Sequence, residues 1–281
     1  MNILVTGGNG FIGRNLVKKL KLSRDENFNS YKVFYPTRDE LNLTNQKLVD
    51  EYFRNKYFDV VIHCATKGGR RNIKEDPKDS YSNLLMFFNL LKNKNKYFRL
   101  INLTSGAELD KRENIVLPYA KLEDRYPVDP YGLSKNIISK ILKNYSEYYN
   151  FRLYGVFGED ESNDRFIKSN ILRYKNKEPL IIHQDRYFDF MYIDDVVSLI
   201  EYFCKSIRGK VNTNYDFTYN KKYTLLDIAN IINNLSSYKS EIIIENKTQG
   251  KYYTGNISGF TVDMVNYIGL EEGIKRVYNA L

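Results

Sequence analysis

Short apolar blocks alternate with amphipathic stretches along the chain. The run Ile3-Leu4-Val5 has no polar interruption and reads as a strand buried on both faces. Thr6-Gly7-Gly8-Asn9-Gly10-Phe11-Ile12-Gly13 follows, and then Leu16, Val17 and Leu20 recur at helical spacing. Tyr31-Lys32-Val33-Phe34-Tyr35-Pro36 predicts a second strand, and Leu43 to Phe53 a helix with Thr44 as its N-cap. Val60-Val61-Ile62-His63 predicts a third strand, in which His63 is a core histidine. Ser80 to Leu91 predicts a helix with Leu84, Leu85, Phe88 and Leu91 on its apolar side, and Leu100-Ile101-Asn102-Leu103 a fourth strand. Asp129-Pro130 opens a further helix with a carboxylate N-cap and proline at the first helical position.

Strands separated repeatedly by helices imply an α/β fold on a Rossmann-type, doubly wound parallel sheet, with ligands over the carboxyl ends of the strands. Gly7, Arg38, Ala65 and Ser105 each lie at or just past a strand end and are expected to converge on one crevice. In the glycine loop, Gly8 and Gly10 are expected to take turn geometry and admit a pyrophosphate to the main chain. Gly13 is expected to let the helix pack close to the strand. The helix N-terminus then offers unpaired N–H groups to the anion. Past the second strand, Arg38 fits the extra phosphate of NADP, whereas the adjacent Asp39 fits the ribose of NAD. Arg14 offers a second cation. The small-residue segment Cys64-Ala65-Thr66-Lys67-Gly68-Gly69 is suited to lie against a cofactor.

The formal charge of +9 is scattered instead of gathered into a block, which favours a solvated lysine-rich surface over nucleic-acid binding. Cys64 and Cys204 are the only cysteines, so neither a disulfide framework nor a Cys-rich metal site is expected. There is no signal-peptide pattern and no apolar run long enough for a bilayer, so no membrane insertion and a cytoplasmic protein are expected.

Tyr131 and Lys135 lie one turn apart on one helix face. A phenol with an ordinary pKa near ~10 is too weak an acid for proton exchange at neutral pH, and a neighbouring ammonium favours its phenolate. Ser105 could hydrogen-bond the reacting oxygen.

Together these residues resemble the extended short-chain dehydrogenase/reductase family, the sugar-nucleotide epimerases, dehydratases and reductases. Thr6 to Gly13, Asn83, Ser105, Tyr131-Gly-Leu-Ser-Lys135, Arg152-Leu-Tyr-Gly-Val-Phe-Gly158 and Asp189-Phe-Met-Tyr-Ile-Asp-Asp195 carry the resemblance. It implies that Tyr131 is the acid/base, that Lys135 holds the nicotinamide ribose and that Ser105 orients the substrate oxygen. It further implies a dinucleotide site of Gly7, Gly8, Asn9, Gly10, Phe11, Ile12, Gly13, Arg14, Arg38, Asn42, Leu43, Cys64, Ala65, Thr66, Lys67, Asn83, Leu103 and Leu153. The implied nucleotide-sugar site comprises Lys67, Gly106, Ala107, Gly155, Arg165, Lys168, His183 and Arg186. The dinucleotide-binding domain would span residues 1–155 plus about 184–210, and a smaller, discontinuous substrate lobe about 156–183 plus 211–281. A homodimer is implied as well.

Departures from the family pattern narrow the reaction. Gly106-Ala107 stand where the 4,6-dehydratases carry an Asp-Glu pair, and Ala107 stands where enzymes similar to GDP-fucose synthase carry the epimerising cysteine. Gly155 replaces a frequent asparagine. Phe188 replaces a frequent arginine, with Arg186 two residues earlier. The segment Arg38-Asp-Glu-Leu-Asn-Leu-Thr resembles its counterpart in GDP-fucose synthase, which uses NADPH. The expectation is an NADPH-dependent C4 reductase of a nucleotide-linked 4-keto-6-deoxy sugar, hexose or heptose, in surface polysaccharide synthesis. An NAD-dependent 4-epimerase and a non-catalytic dinucleotide-binding sensor or scaffold are the alternatives.

Overall fold

The strand β1 (Asn2–Thr6) lies inside a six-stranded parallel sheet, and its residues Ile3 to Thr6 are all buried. The sheet is that of a computed structural model, which describes residues 1–23, 31–69, 75–116, 122, 124–145, 147–205, 214–256 and 265–281. The other strands are β2 (Lys32–Phe34), β3 (Phe58–His63), β4 (Tyr97–Ser105), β5 (Tyr148–Leu153) and β9 (Asn214–Phe217). Their order is β2-β1-β3-β4-β5-β9. Every neighbouring pair is parallel. Because β1 has β2 on one side and β3 on the other, the order reverses there, and the carboxyl ends of β1 and β3 open a crevice.

Alternate strand residues feed opposite faces, as the period of two requires. Ile3, Val5, Val60 and Ile62 pack on one side with Leu16, Val17 and Leu20 of α1 (Phe11–Leu22) and Val196 and Ile200 of α6 (Ile193–Lys205). Leu4 and Val61 pack on the other with α2 (Gln46–Phe53), α3 (Pro77–Lys92) and α4 (Pro130–Leu142). The sheet is therefore covered by helices on both faces, as the alternating pattern predicts.

Two local expectations are corrected. The N-cap of α2 is Asn45, whose side chain accepts from Leu48 N–H, while the Thr44 hydroxyl donates to Asn42. The buried face of α3 carries Asn83, Met86, Phe87 and Leu90, and Phe88 is exposed. Apolar residues surround most of this helix, so periodicity alone leaves its rotation undecided. Asn83 settles it by bonding the chain beyond β3.

Beyond β5 the chain forms β6 (Gly155–Phe157), α5 (Phe166–Lys175), β7 (Leu180–Gln184) and β8 (Phe190–Tyr192). After β9 come α7 (Leu225–Asn233), β10 (Ile242–Asn246) and α8 (Leu270–Ala280). β6 pairs with β8 and β7 with β10, each parallel. β9 lies past the boundary expected near residue 210, yet it is the edge strand of the main sheet. It is held to β5 by backbone pairing and by the Arg152–Asp216 ion pair. Among the described residues no helix is long and apolar enough to cross a membrane.

Candidate functional site

The turn after β1 needs its special backbone at Gly7, which has φ +68°. A Cβ there would stand 2.7 Å from the Ala65 backbone, so Gly7 also sets the close approach of the β1 and β3 ends. The expected turn geometry therefore falls on Gly7, and Gly10 serves as the N-cap of α1 with an ordinary φ of −73°. Gly13 has the expected packing role, since a Cβ would meet Gly7 O at 2.2 Å. No side chain caps α1. Its first N–H groups, with no intrahelical acceptor, are thus left to an anion.

The crevice is a cavity of about 610 Å³, the right scale for a cofactor site. Its wall contains Thr6 to Gly13, Arg38, Asn42, Leu43, Cys64 to Gly69 and Tyr131. Arg38 is exposed at the wall with no hydrogen bond or ion pair to the described residues, while Asp39 does not line the cavity. Arg14 instead donates to Asp160 O at 2.5 Å. Asn83 is buried beneath the loop: its amide accepts from Lys67 N–H at 2.8 Å and donates to Lys67 O at 3.0 Å and Ser134 Oγ at 3.2 Å. It shapes the wall without lining it. Leu103 and Leu153 are core residues. Burial pushes the Cys64 thiol up to about 12 and His63 down to about 3, with His63 Nδ1 bonded to Thr6 Oγ1 at 2.8 Å.

Tyr131 lines this cavity. Asp129 caps α4 by accepting from Gly132 N–H at 2.7 Å, and Glu75 accepts from Tyr131 N–H at 3.0 Å. Gly69, with φ +73°, lies flat on the Tyr131 ring, where a Cβ would stand 2.9 Å from Cζ. Burial pushes the phenol up to about 12, and the polar hydroxyl of Ser105 offsets part of this rise. Lys135 is buried, its amine donates to Leu103 O at 2.8 Å, and it stands 5.6 Å from the Tyr131 ring centroid. Burial lowers the amine to about 8. The expected lowering of Tyr131 by Lys135 is therefore not seen, because the ammonium is aimed at a strand carbonyl.

The residues expected around the sugar separate. Gly106 and Ala107 are buried beside Ser105, whose Oγ accepts from Ala107 N–H at 3.2 Å. Arg165 is the N-cap residue of α5, 3.9 Å from Glu161 Oε2, and its charge acts on Tyr131. Lys67 donates to Ser82 Oγ at 3.3 Å. Arg186 lies 5.3 Å over the Phe188 ring. Lys168 is buried and donates to Glu159 O and Glu161 O at 2.6 and 2.9 Å, which makes it a loop anchor. Gly155 is a packing residue, since a Cβ would meet the Phe190 ring at 2.5 Å. His183 is exposed and bonded to Glu245 at 2.9 Å.

Two features escaped the sequence pattern. Tyr253 brings its hydroxyl to 3.2 Å from Ser105 Oγ, across 148 residues of chain. With 25 tyrosines in the sequence nothing singles it out. Three residues after Ser105, Glu108 is buried. It accepts from Arg152 Nε at 2.8 Å and from Thr104 Oγ1 at 2.5 Å, and Arg152 reaches Asp216 at 2.7 Å. Glu108 is thus the nearest carboxylate along the chain after Ser105, and it is fully engaged away from the cavity. Among the described residues no His/Cys/Asp/Glu group could hold a metal ion.

Comparison with known proteins agrees with this geometry. The model of the NAD dependent epimerase/dehydratase family matches residues 3–218. A Methanocaldococcus jannaschii protein provisionally named as a UDP-glucose 4-epimerase is 29% identical, over 99% of this chain and 97% of its own. GDP-L-colitose synthase of Yersinia pseudotuberculosis is 25% identical over 87% of this chain and 85% of its own. Among solved structures, the GDP-mannoheptose C4 reductase of Campylobacter jejuni with NADP bound shares the fold. Its TM-score is 0.82 at 18% identity, covering 99% of this chain and 97% of that one.

Proposed function

The chain belongs to the NAD dependent epimerase/dehydratase family, NAD(P)-dependent enzymes of the extended short-chain dehydrogenase/reductase type, and from that premise we propose an NADPH-dependent C4 reductase. Its substrate is a nucleotide-linked 4-keto-6-deoxy sugar, hexose or heptose, destined for surface polysaccharide. The carrying observation is Arg38, a cation at the cavity wall that no described residue engages. A 2'-phosphate gives it a partner. The cavity fits a dinucleotide: Gly7 and Gly13 keep its floor free of side chains, and α1 presents uncapped N–H groups. When bound, the nicotinamide supplies a hydride to the sugar carbonyl carbon.

The chain supplies the proton and the geometry. Tyr131 is a protonated phenol at neutral pH, a form that can give its proton to the oxygen at C4 as negative charge develops there. Ser105 hydrogen-bonds the same oxygen, and Lys135 brings a buried positive charge beneath it. No further acid or base is needed, in keeping with Gly106 and Ala107 after Ser105 and with the engagement of Glu108 by Arg152. Arg165 and Arg186 are the cations proposed for the diphosphate. Tyr81 and Phe88, exposed on α3, are the surface proposed for a homodimer.

The 29% identical relative favours a second reading, a 4-epimerase that retains NAD. Incubation with NADPH and a set of nucleotide-linked 4-keto-6-deoxy sugars, and in parallel with the corresponding 4-hydroxy sugars and no added cofactor, decides between them. One NADPH oxidised per sugar reduced is expected. Interconversion of C4 epimers without net cofactor oxidation would establish the epimerase.

A further inference from the structure

We infer that Tyr253 is a positioning residue of the reacting centre, its phenol donating to Ser105 Oγ so that the Ser105 proton is directed toward Tyr131 and the reacting oxygen. This rests on the reading above, in which Tyr131 transfers the proton and Ser105 touches the substrate oxygen.

The inference comes from counting protons. A serine hydroxyl has one proton and two acceptor lone pairs. Ala107 N–H occupies one lone pair at 3.2 Å. The Tyr253 hydroxyl stands 3.2 Å away and has no other hydrogen-bond partner among the described residues. Burial holds this phenol well above its ordinary pKa, so it keeps its proton. Among the described residues Ser105 is the one acceptor that proton has, and leaving it unpaired would cost about 1–3 kcal/mol. With both lone pairs taken, Ser105 can only donate forward.

The surroundings are built to hold this phenol. Its ring packs 4.8 Å from Phe188 and 5.2 Å from Tyr154. Tyr253 N–H donates to Tyr187 O at 2.9 Å, and Asp189 N–H donates to Tyr253 O at 3.1 Å. Two residues on, Gly255 N–H donates to Asp189 Oδ2 at 2.7 Å. A Cβ on Gly106 would stand 2.9 Å from Tyr253 Cζ, so glycine after Ser105 is what admits the ring. Tyr253 thereby links a late segment of the chain to the end of β4.

The test is Tyr253→Phe, which keeps the packed ring and removes only the hydroxyl. Loss of one oriented hydrogen bond should lower kcat about tenfold. KM, dinucleotide Kd and Tm should hold near wild type. Because Tyr253 acts through Ser105, the double variant Ser105→Ala/Tyr253→Phe should be no slower than Ser105→Ala. An unchanged kcat in Tyr253→Phe, or losses that multiply in the double variant, would overturn the inference.

A second readout needs no substrate. With ¹³C at tyrosine Cζ, the Tyr131 resonance is the one missing from Tyr131→Phe. It should shift in Ser105→Ala and also in Tyr253→Phe. A Tyr131 signal that moves only with Ser105→Ala contradicts the inference. Absence of turnover on every 4-keto sugar would sink the reductase reading while this signal still decides the role of Tyr253.

Discussion

Lys135 donates a 2.8 Å hydrogen bond to the carbonyl oxygen of Leu103, the residue two before Ser105 on β4. The one ammonium on the Tyr131 face of α4 is thus fixed to the strand that carries the serine. Proton chemistry is left to Tyr131. Tyr131→Phe should lower kcat by ~100-fold to 10,000-fold, the usual contribution of a positioned general acid. Dinucleotide affinity, measured by fluorescence titration, should stay within a few-fold of wild type.

Lys135 also sets a pH dependence. Its amine, lowered by burial to about 8, loses charge as pH rises through that value, so kcat should fall on an alkaline limb near pH 8. The stability effect has the opposite sign. Between the folded value of about 8 and the ordinary 10.5 the unfolded chain binds more protons, so this lysine destabilises the fold below pH 8 and the penalty fades toward pH 10.5. The Tm of Lys135→Met relative to wild type should therefore decline as pH is raised from 7 to about 10, which paired thermal scans would measure.

Asn83 holds the wall of the cavity by both sides of its amide at Lys67. Asn83→Ala should cost about 1–3 kcal/mol in urea unfolding, since it leaves buried backbone groups unpaired. It should also raise the dinucleotide Kd, although Asn83 does not line the cavity. An unchanged Kd would show that the Thr66-Lys67 segment holds its shape unaided.

The Glu108–Arg152–Asp216 group is buried, with side chains 2–5% exposed. Removing one partner leaves uncompensated charge, so Arg152→Met should destabilise by about 3–5 kcal/mol. The denaturant midpoint should fall with little change in m. Because Arg152 holds Glu108, three residues after Ser105, the substitution should also lower kcat.

Legibility of these features follows sequence distance. The glycine loop, the Asp129-Pro130 cap and the Tyr131–Lys135 spacing are local, and short-range chemistry is enough to place them. Repeated strand and helix patterns similarly predict the parallel sheet. Arg14 and Lys168 read as available cations because their partners, the chain at Asp160 and the carbonyls of Glu159 and Glu161, come together only on folding. The rotation of α3 was hidden because its apolar residues nearly encircle it. Gly155 reads as a missing contact until Phe190 is seen packed against it. Tyr253 reaches Ser105 from the far end of the chain, and no periodicity marks such a pairing.

Cofactor choice tests the central claim most directly. The nucleotide released from denatured protein is identified, and the cofactor-free form is titrated with NADPH and NADH, as wild type and as Arg38→Ala. The expected result is exchangeable binding with NADPH preferred about 10- to 100-fold, as one charge-assisted phosphate contact provides, and that preference lost in Arg38→Ala. Tightly retained NAD, with equal affinity for the two reduced dinucleotides, would contradict the reductase and favour the 4-epimerase in its place.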